Sequence, residues 1–217
     1  MTIQPRQRLK TMSQGRGDGR GFAVPFAARF AARINERDWE DFAFDPTQLA
    51  NGLRDLVDAL SPDGIPVTIP EFLAEGSLEP SSREHLRAAV EATARLRASM
   101  GDRVGLLACL PDPSSFSGGS TALVEVAKAF LAAGADGILV MEPTADAQSE
   151  PLTSLANIAR FHQAVALGTD ARQALTQVTQ IPLAAPRRAD GVAVTETDLP
   201  RDIDLNILEE WLHTVRE

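Results

Sequence analysis

The chain has 217 residues, of which 44% are hydrophobic and 24% are charged, and this composition is that of an ordinary globular domain with a sizeable core. The formal net charge of -9 excludes the broad attraction to nucleic acid or to an anionic membrane surface that a basic protein has. The single cysteine, Cys109, excludes an intrachain disulfide and any zinc site built from cysteine pairs.

The first 20 residues contain no apolar core of the signal-peptide type, and the whole chain has no stretch of about 18 apolar residues. Within this region the segment "QGRGDGRG" at 14–21 is typical of a solvated loop, with a phosphate site as the less favoured alternative. We therefore expect a flexible leader over residues 1–20, one domain over residues 21–217, and a cytoplasmic protein.

Short apolar runs bounded by turn residues alternate with segments of helical periodicity. The runs predict strands that are buried on both faces, at 21–26, 63–69, 103–110, 136–142, 181–185 and 191–196. The helical segments are 45–60, 80–101, 120–136, 151–166, 168–179 and 203–215. This alternation predicts an α/β fold with a parallel sheet or barrel, and six strands are too few for a complete eightfold barrel.

Two arginines follow the first predicted strand in the run "VPFAARFAARI" at 24–34. Arg29 and Arg33 are four residues apart, so on a helix both guanidinium groups can reach one anionic ligand. Arginine suits this task because its planar guanidinium group binds carboxylates in a bidentate manner and keeps its charge. The alternative is a solvated helix face on which the arginines meet neighbouring acidic residues.

Other candidate site residues lie where predicted strands end. Glu142 closes the fourth strand, and acidic residues at the carboxyl ends of barrel strands are typical of catalytic groups, although many are caps. Ser117, Gly118 and Gly119 stand in the loop "SSFSGGS" before a helix, where backbone N–H groups can hold a phosphate or carboxylate. Such a loop can equally serve as an unliganded connection. No metal site is expected.

The order of these pieces resembles the uroporphyrinogen decarboxylase superfamily, which also includes barrel methyltransferases that act on corrinoid-bound methyl groups. The resemblance covers roughly residues 7–143 and is best in "LVEVAKAFLAAGADGILVMEP" at 123–143. It implies a shortened or incomplete TIM-type (β/α) barrel with mostly parallel strands. It also implies that Arg29 and Arg33, in "RFAAR", match the two arginines of the decarboxylases that hold substrate carboxylates.

The same resemblance places Glu71, in "IPEFL", where the decarboxylases carry an essential aspartate at the end of the second strand. A carboxylate there can orient pyrrole N–H groups or stabilise a cationic intermediate. Other family residues are missing: the chain has no tyrosine, its three histidines lie in helical segments, and Cys109 has no histidine two residues away to complete a zinc pair. Decarboxylation of uroporphyrinogen and zinc-dependent thiol methylation therefore fit the sequence poorly.

Three hypotheses about function follow from these patterns. The main one is a decarboxylase-like protein that acts on or binds a small anionic organic ligand through Arg29 and Arg33, with Glu71 and Glu142 as catalytic carboxylates and no cofactor. The alternatives are a corrinoid-linked methyltransferase component without its own zinc, which would use cobalamin, and a non-catalytic ligand-binding or partner-binding relative. An active enzyme would be a lyase or a methyltransferase. Because a shortened barrel exposes strand edges, we also expect a homodimer or a tight protein partner.

Overall fold

The computed structural model describes residues 3–69, 80–111, 113, 116, 119–141, 149–169, 175–196 and 199–217. Within these ranges the elements are α1 (Pro5–Ser13), β1 (Phe22–Val24), α2 (Ala28–Ile34), α3 (Trp39–Phe44), α4 (Pro46–Leu60), β2 (Gly64–Pro66), α5 (Pro80–Met100), β3 (Gly105–Leu110), α6 (Gly119–Ala132), β4 (Gly137–Val140), α7 (Ser149–Phe161), β5 (Val165–Gly168), β6 (Thr176–Ile181), β7 (Val192–Thr195) and α8 (Leu205–Arg216). No helix of this described part is long and apolar enough to cross a membrane.

The seven described strands form one parallel sheet in the order β1-β7-β6-β5-β4-β3-β2. The two end strands also meet, because the Asp63 backbone N–H donates to the Ala23 carbonyl oxygen at 3.1 Å. The sheet is therefore a nearly closed barrel, and the helices that connect β2 through β5 cover its outside. The predicted α/β, TIM-type barrel is confirmed, with seven strands rather than six.

The inside of the barrel is filled with apolar side chains. One cluster of buried residues takes members from six strands and only one helical residue, Leu9 of α1, so it is the interior cluster. Its members are at most 4% exposed: Leu9, Phe22, Val24, Phe26, Leu107, Cys109, Leu139, Val165, Leu167, Val178, Val192 and Val194. The interior is a packed core and not a pore. A second, larger cluster joins the outer faces of the strands to the helices.

Helix α4 shows how the outer layer is specified by sequence. Asp45 caps its first turn, because the carboxylate accepts hydrogen bonds from the backbone N–H groups of Thr47 and Gln48. The N–H group of Gln48 is the main cause that lowers the pKa of Asp45. Leucine and valine side chains at helical spacing then form a buried stripe against the sheet.

The last third of the chain differs from the sequence-based prediction. The predicted helix at 168–179 is wrong, since β6 begins at Thr176, and the predicted strand at 181–185 is wrong because turn residues follow Ile181. The predicted helix at 151–166 also runs too far, as β5 starts at Val165. Seven residues separate β5 from β6, too few for the usual crossover helix. The outer face of β6 accordingly carries polar Gln177 and Thr179.

The first 20 residues also differ from the flexible leader that we expected. Residues 5–13 form α1, and its Leu9 is fully buried beneath the barrel interior. Arg8, in the same helix, is 7% exposed because it forms an ion pair with Asp63. A tertiary contact and a buried charge pair therefore fix this segment, which lies across the amino-terminal end of the barrel.

Candidate functional site

Barrels of this type carry their active sites at the carboxyl ends of the strands. Five described residues at this end are uncharged, and we call them the mouth: Phe26, Thr68, Cys109, Met141 and Thr195. The exposed Glu196 directly follows Thr195, and several loops of this end lie outside the described residues. Phe26 and Cys109 belong to the interior cluster, and the partly buried Met141 packs against that cluster. The two threonines are bonded to Cys109 and Phe26, respectively. None of these five side chains carries a charge at neutral pH.

The threonine hydroxyls hold the strand ends together where the backbone ladder stops. The Thr68 hydroxyl donates to the Cys109 carbonyl oxygen at 2.7 Å and accepts from the Cys109 backbone N–H at 2.8 Å. Thr195 accepts from the Phe26 backbone N–H at 3.0 Å. Both threonines are at most 2% exposed, so their hydroxyl groups serve the protein rather than a ligand.

His85 fixes the end of β2 just beyond the mouth. Its Nε2 accepts a hydrogen bond from the Ile69 backbone N–H at 2.9 Å, and Nδ1 lies 2.9 Å from the carbonyl oxygen of Ala43. An Nε2 that accepts must carry a lone pair, so the ring is neutral and Nδ1 donates. The side chain is fully buried. His85 therefore joins α5, α3 and the end of β2 as a positioning residue.

Cys109 is the buried strand residue that the sequence indicated. It is 1% exposed, and burial raises the pKa of its thiol well above the usual range. A thiol needs a lowered pKa and solvent access to act as a nucleophile. Cys109 has neither property, so it contributes packing to the mouth and not nucleophilic chemistry.

The two candidate arginines lie half-buried on α2, which begins four residues after β1 ends. The Arg29 guanidinium stacks over the Trp39 ring, 4.4 Å from its centroid. The Arg33 guanidinium lies 4.6 Å from the Phe30 ring centroid, and its Nη2 donates to the Ile203 carbonyl oxygen at 3.2 Å. Although they share a helix, the two charges thus rest against different neighbours.

The other candidate residues fall mainly outside the described ranges. Glu71, Glu142, Ser117 and Gly118 lie there, so their roles stay predictions. Gly119 begins α6, and its backbone N–H donates to the Phe116 carbonyl oxygen at 2.8 Å. That N–H is therefore engaged within the protein and is not an open donor for an anion.

Space at the described part of the mouth is limited. A crevice between β1 and β2 has a volume of about 10 Å³ and is lined by mostly apolar residues, among them Phe26, Pro66 and Thr68. It has room for about one water molecule. Among the described residues no group of three or more histidine, cysteine or acidic side chains suits a metal ion.

Sequence reasoning missed Thr68, Thr195 and His85 as residues that shape this site. Their partners are 41, 169 and 16 residues away along the chain, respectively, so no local pattern could pair them. The only available signal was position: both threonines lie at or just after the end of a strand that the sequence did predict.

Comparisons with known proteins identify the fold but not a family. No family model matches the sequence, and no curated protein matches it. A methyltransferase from Methanosarcina mazei is similar in structure, with a TM-score of 0.72 and 10% sequence identity over 99% of this chain and 98% of that chain. At this identity the likeness shows the fold alone.

Two other solved structures are less similar to the chain. N-acetylneuraminate lyase from Fusobacterium nucleatum has a TM-score of 0.43 and 14% identity, covering 91% of this chain and 53% of that chain. Octameric ribulose-1,5-bisphosphate carboxylase/oxygenase from Pyrococcus horikoshii has a TM-score of 0.44 and 12% identity, covering 71% and 31%. Similarities at this level carry no argument about function.

Proposed function

We propose that the protein is a component of corrinoid-linked methyl transfer, which binds cobalamin or a corrinoid-carrying protein at the mouth and has no zinc site of its own. The observation that carries this proposal is the similarity of fold, over nearly the full length of both chains, to the Methanosarcina mazei methyltransferase. The sequence resemblance over roughly residues 7–143 supports it, because corrinoid methyltransferases belong to the same superfamily.

The chemistry of the mouth agrees with such a ligand. The partly buried Met141 packs over the buried Phe26 and Cys109 to form an apolar wall, and the hydroxyls of Thr68 and Thr195 are already bonded to backbone groups. Because the described crevice has room for about one water molecule, the ligand would lie over this wall and not inside it. A wall without charge suits the broad, largely apolar face of a corrin better than the many carboxylates of a uroporphyrinogen. When bound, cobalamin supplies the transferable methyl group, and the residues of this wall would exclude water from it.

Titration of the protein with methylcobalamin, followed by visible absorption, tests this proposal. We expect a saturable spectral change that Met141→Gln weakens, because the substitution brings an unpaired amide to the apolar wall. Met12→Gln is the matched control, since Met12 also packs partly buried against the interior cluster but belongs to α1, at the opposite end of the barrel. An absorption spectrum that does not change on titration would contradict the proposal, as would equal weakening by both variants.

A second candidate function is the binding of a small organic anion by Arg29 and Arg33. The observation that favours it is their place, half-buried on the helix that follows the carboxyl end of β1. Uroporphyrin, a tetrapyrrole polycarboxylate, is a suitable fluorescent probe. Under this hypothesis Arg29→Ala weakens its binding, whereas Arg37→Ala, which removes an exposed arginine of the same region, does not. Equal affinity of both variants for uroporphyrin would argue against an arginine clamp.

A further inference from the structure

An open cavity of about 500 Å³ lies at the amino-terminal end of the barrel, opposite the mouth. Three separate parts of the chain meet there: helix α1, the glycine- and arginine-rich segment 14–21, and the last turn of α8. Five of the lining residues are charged, namely Arg8, Asp18, Arg20, Asp63 and Arg216. Three arginines against two aspartates leave the lining with one net positive charge, in a chain whose net charge is -9.

The carboxylate of Asp63 is fully used within the protein. Oδ1 accepts from Arg8 Nη1 at 2.7 Å, and Oδ2 accepts from Arg216 Nε at 2.9 Å and from the Ala23 backbone N–H at 3.0 Å. The Arg8 Nη2 is used as well, because it donates to the carbonyl oxygens of Gly21 and Arg20. The positive charge that is not committed therefore lies at Arg8 Nε and on the Arg20 side chain.

Arg8 Nε is a buried donor without a hydrogen bond, although the residue is only 7% exposed. The nearest acidic atom is Asp18 Oδ2, which is 3.4 Å away and forms an ion pair but no hydrogen bond. A buried charged donor without a hydrogen-bond acceptor is unfavourable. The cavity thus contains a donor that an additional oxygen atom would satisfy.

Arg20 offers a second donor group to the same space. Its backbone N–H donates to Asp18 Oδ1, but its guanidinium forms no hydrogen bond or ion pair with any residue that the structure describes. Asp18, which stands between Gly17 and Gly19, is bonded only through this turn and the long contact with Arg8. Gly19 has a φ of +75°, a conformation that glycine adopts without strain, and a Cβ there would meet no atom within 4 Å.

We propose that this cavity binds a small polyanion through its phosphate or carboxylate oxygens. Arg20 is the exposed binding arm and Arg8 Nε is the buried donor. Arg216, whose Nε and Nη2 donate to Asp63 and to the Ser61 carbonyl oxygen, lines the cavity and adds positive charge. Asp18 competes with the ligand, because its carboxylate lies beside Arg8 Nε when no other anion does. Guanidinium groups suit such oxyanions because their N–H pairs match the spacing of two oxygen atoms. The segment "QGRGDGRG" then forms one wall of a ligand site, and the site is independent of the function proposed for the mouth.

Calorimetric titration of the full chain tests this inference, with inorganic pyrophosphate and citrate as separate probes and ionic strength held constant with chloride. We expect saturable binding of at least one probe. Arg20→Ala should weaken it about tenfold, the loss of roughly one charge-assisted hydrogen bond. Asp18→Asn should tighten it, because the substitution removes the competing charge. Arg37→Ala is the control with the same charge change at an exposed position outside the cavity.

Arg20→Ala should weaken binding of the probe, whereas Asp18→Asn should tighten it. These opposite changes in affinity distinguish specific binding in the cavity from general electrostatic attraction. Binding of pyrophosphate alone would identify phosphate groups as the ligand chemistry, and binding of citrate alone or of both would extend it to carboxylates. The inference is overturned if neither probe binds saturably, or if Arg20→Ala and Arg37→Ala change the affinity equally. Thermal melts of each variant verify folding, and Arg20→Ala should melt as the wild type does because its guanidinium has no partner in the described structure.

Discussion

The two ends of the barrel solve the same structural problem with opposite chemistry. At the amino-terminal end, the carboxylates of Asp63 and Asp136 each accept a hydrogen bond from the backbone N–H of a neighbouring strand. At the mouth, Thr68, Thr195 and His85 do the same with neutral oxygen and nitrogen atoms. Most of the charge at one end holds the fold together, and Arg8 Nε and Arg20 are the exceptions. The neutral wall at the other end leaves the electrostatics of the mouth to a ligand and to the loops around it.

Asp136 shows what the charged end requires. The side chain is 1% exposed, and its carboxylate accepts from Arg6, from Arg97 and from the Leu106 backbone N–H. Arg6 reaches it from α1 and Arg97 from α5, so a single carboxylate ties two helices to the start of β4. Such a buried pair is costly to break, because the remaining charges lose their partner.

The largest effect that we expect is therefore that of Asp136→Ala. Removing this carboxylate takes one acceptor from Arg6 and one from Arg97, which keep Asp102 and the Gly134 carbonyl oxygen, respectively, and it leaves the buried Leu106 N–H without its acceptor. The free energy of unfolding should fall by about 3 kcal/mol. Chemical denaturation followed by circular dichroism measures the change. Asp58→Ala is the matched control: its ion pair with Arg103 is at least half exposed, and its loss should cost less than about 1 kcal/mol. Equal losses in the two variants would refute the special role of the charged end.

His85 gives a test of how the neutral end of the barrel contributes to stability. Protonation places a second N–H on the ring, facing the Ile69 N–H, so the folded state requires the neutral form. Both hydrogen bonds of this side chain are therefore formed by the neutral ring. His85→Leu should lower the free energy of unfolding by about 2–3 kcal/mol at pH 8, since two buried backbone groups lose their partners.

The carboxylates of the charged end make the free energy of unfolding depend on pH in the acidic range. The pKa of Asp102 is lowered mainly by its hydrogen bond from Arg6, so its contribution is present above its ordinary pKa and is lost as the pH falls through the lowered value, below about pH 4. Chemical denaturation of the wild type and of Asp102→Asn between pH 6 and pH 3 measures this loss, which should be smaller in the variant because asparagine carries no titratable charge. Equal losses in the two proteins would contradict a contribution from the Asp102 carboxylate.

The sequence predicted the parts of the barrel whose signals are local. The strands from β1 to β4 and β7 are continuous apolar runs, and α4 has its cap and its buried stripe within 16 residues. β6 was missed because its sequence, "TQVTQI", alternates: Val178 points into the barrel, while Gln177 is exposed on the outer face, which no helix among the described residues covers. Leader residues 5–13 were missed because the partners of Arg8 lie 12 to 55 residues away along the chain.

The candidate site was less accessible to prediction than the fold. Helix α2 was not among the predicted helices, although the spacing of Arg29 and Arg33 suits a helix. That spacing could not show that one guanidinium stacks on Trp39 while the other donates to the carbonyl oxygen of Ile203. Spacing within a helix fixes the face on which a side chain begins, whereas the end of a long side chain is placed by elements that are distant in sequence. The sequence likewise placed His85 in a helical segment but could not show its two backbone partners, which lie 16 and 42 residues away along the chain.

The smallest effect, Thr68→Val, tests whether the neutral mouth is held by these hydroxyls. Valine keeps nearly the same shape and removes one donor and one acceptor, so the Cys109 N–H and carbonyl oxygen lose their side-chain partner. We expect a loss of about 1 kcal/mol in the free energy of unfolding at neutral pH, with no change in its dependence on pH, because no charge is involved. Hydrogen exchange at the Cys109 amide, measured by NMR, should become faster in this variant. Unchanged protection of that amide would mean that the Thr68 hydroxyl adds nothing to the packing and the backbone hydrogen bonds that join β2 to β3, among them the bond from the Val67 N–H to the Leu107 carbonyl oxygen.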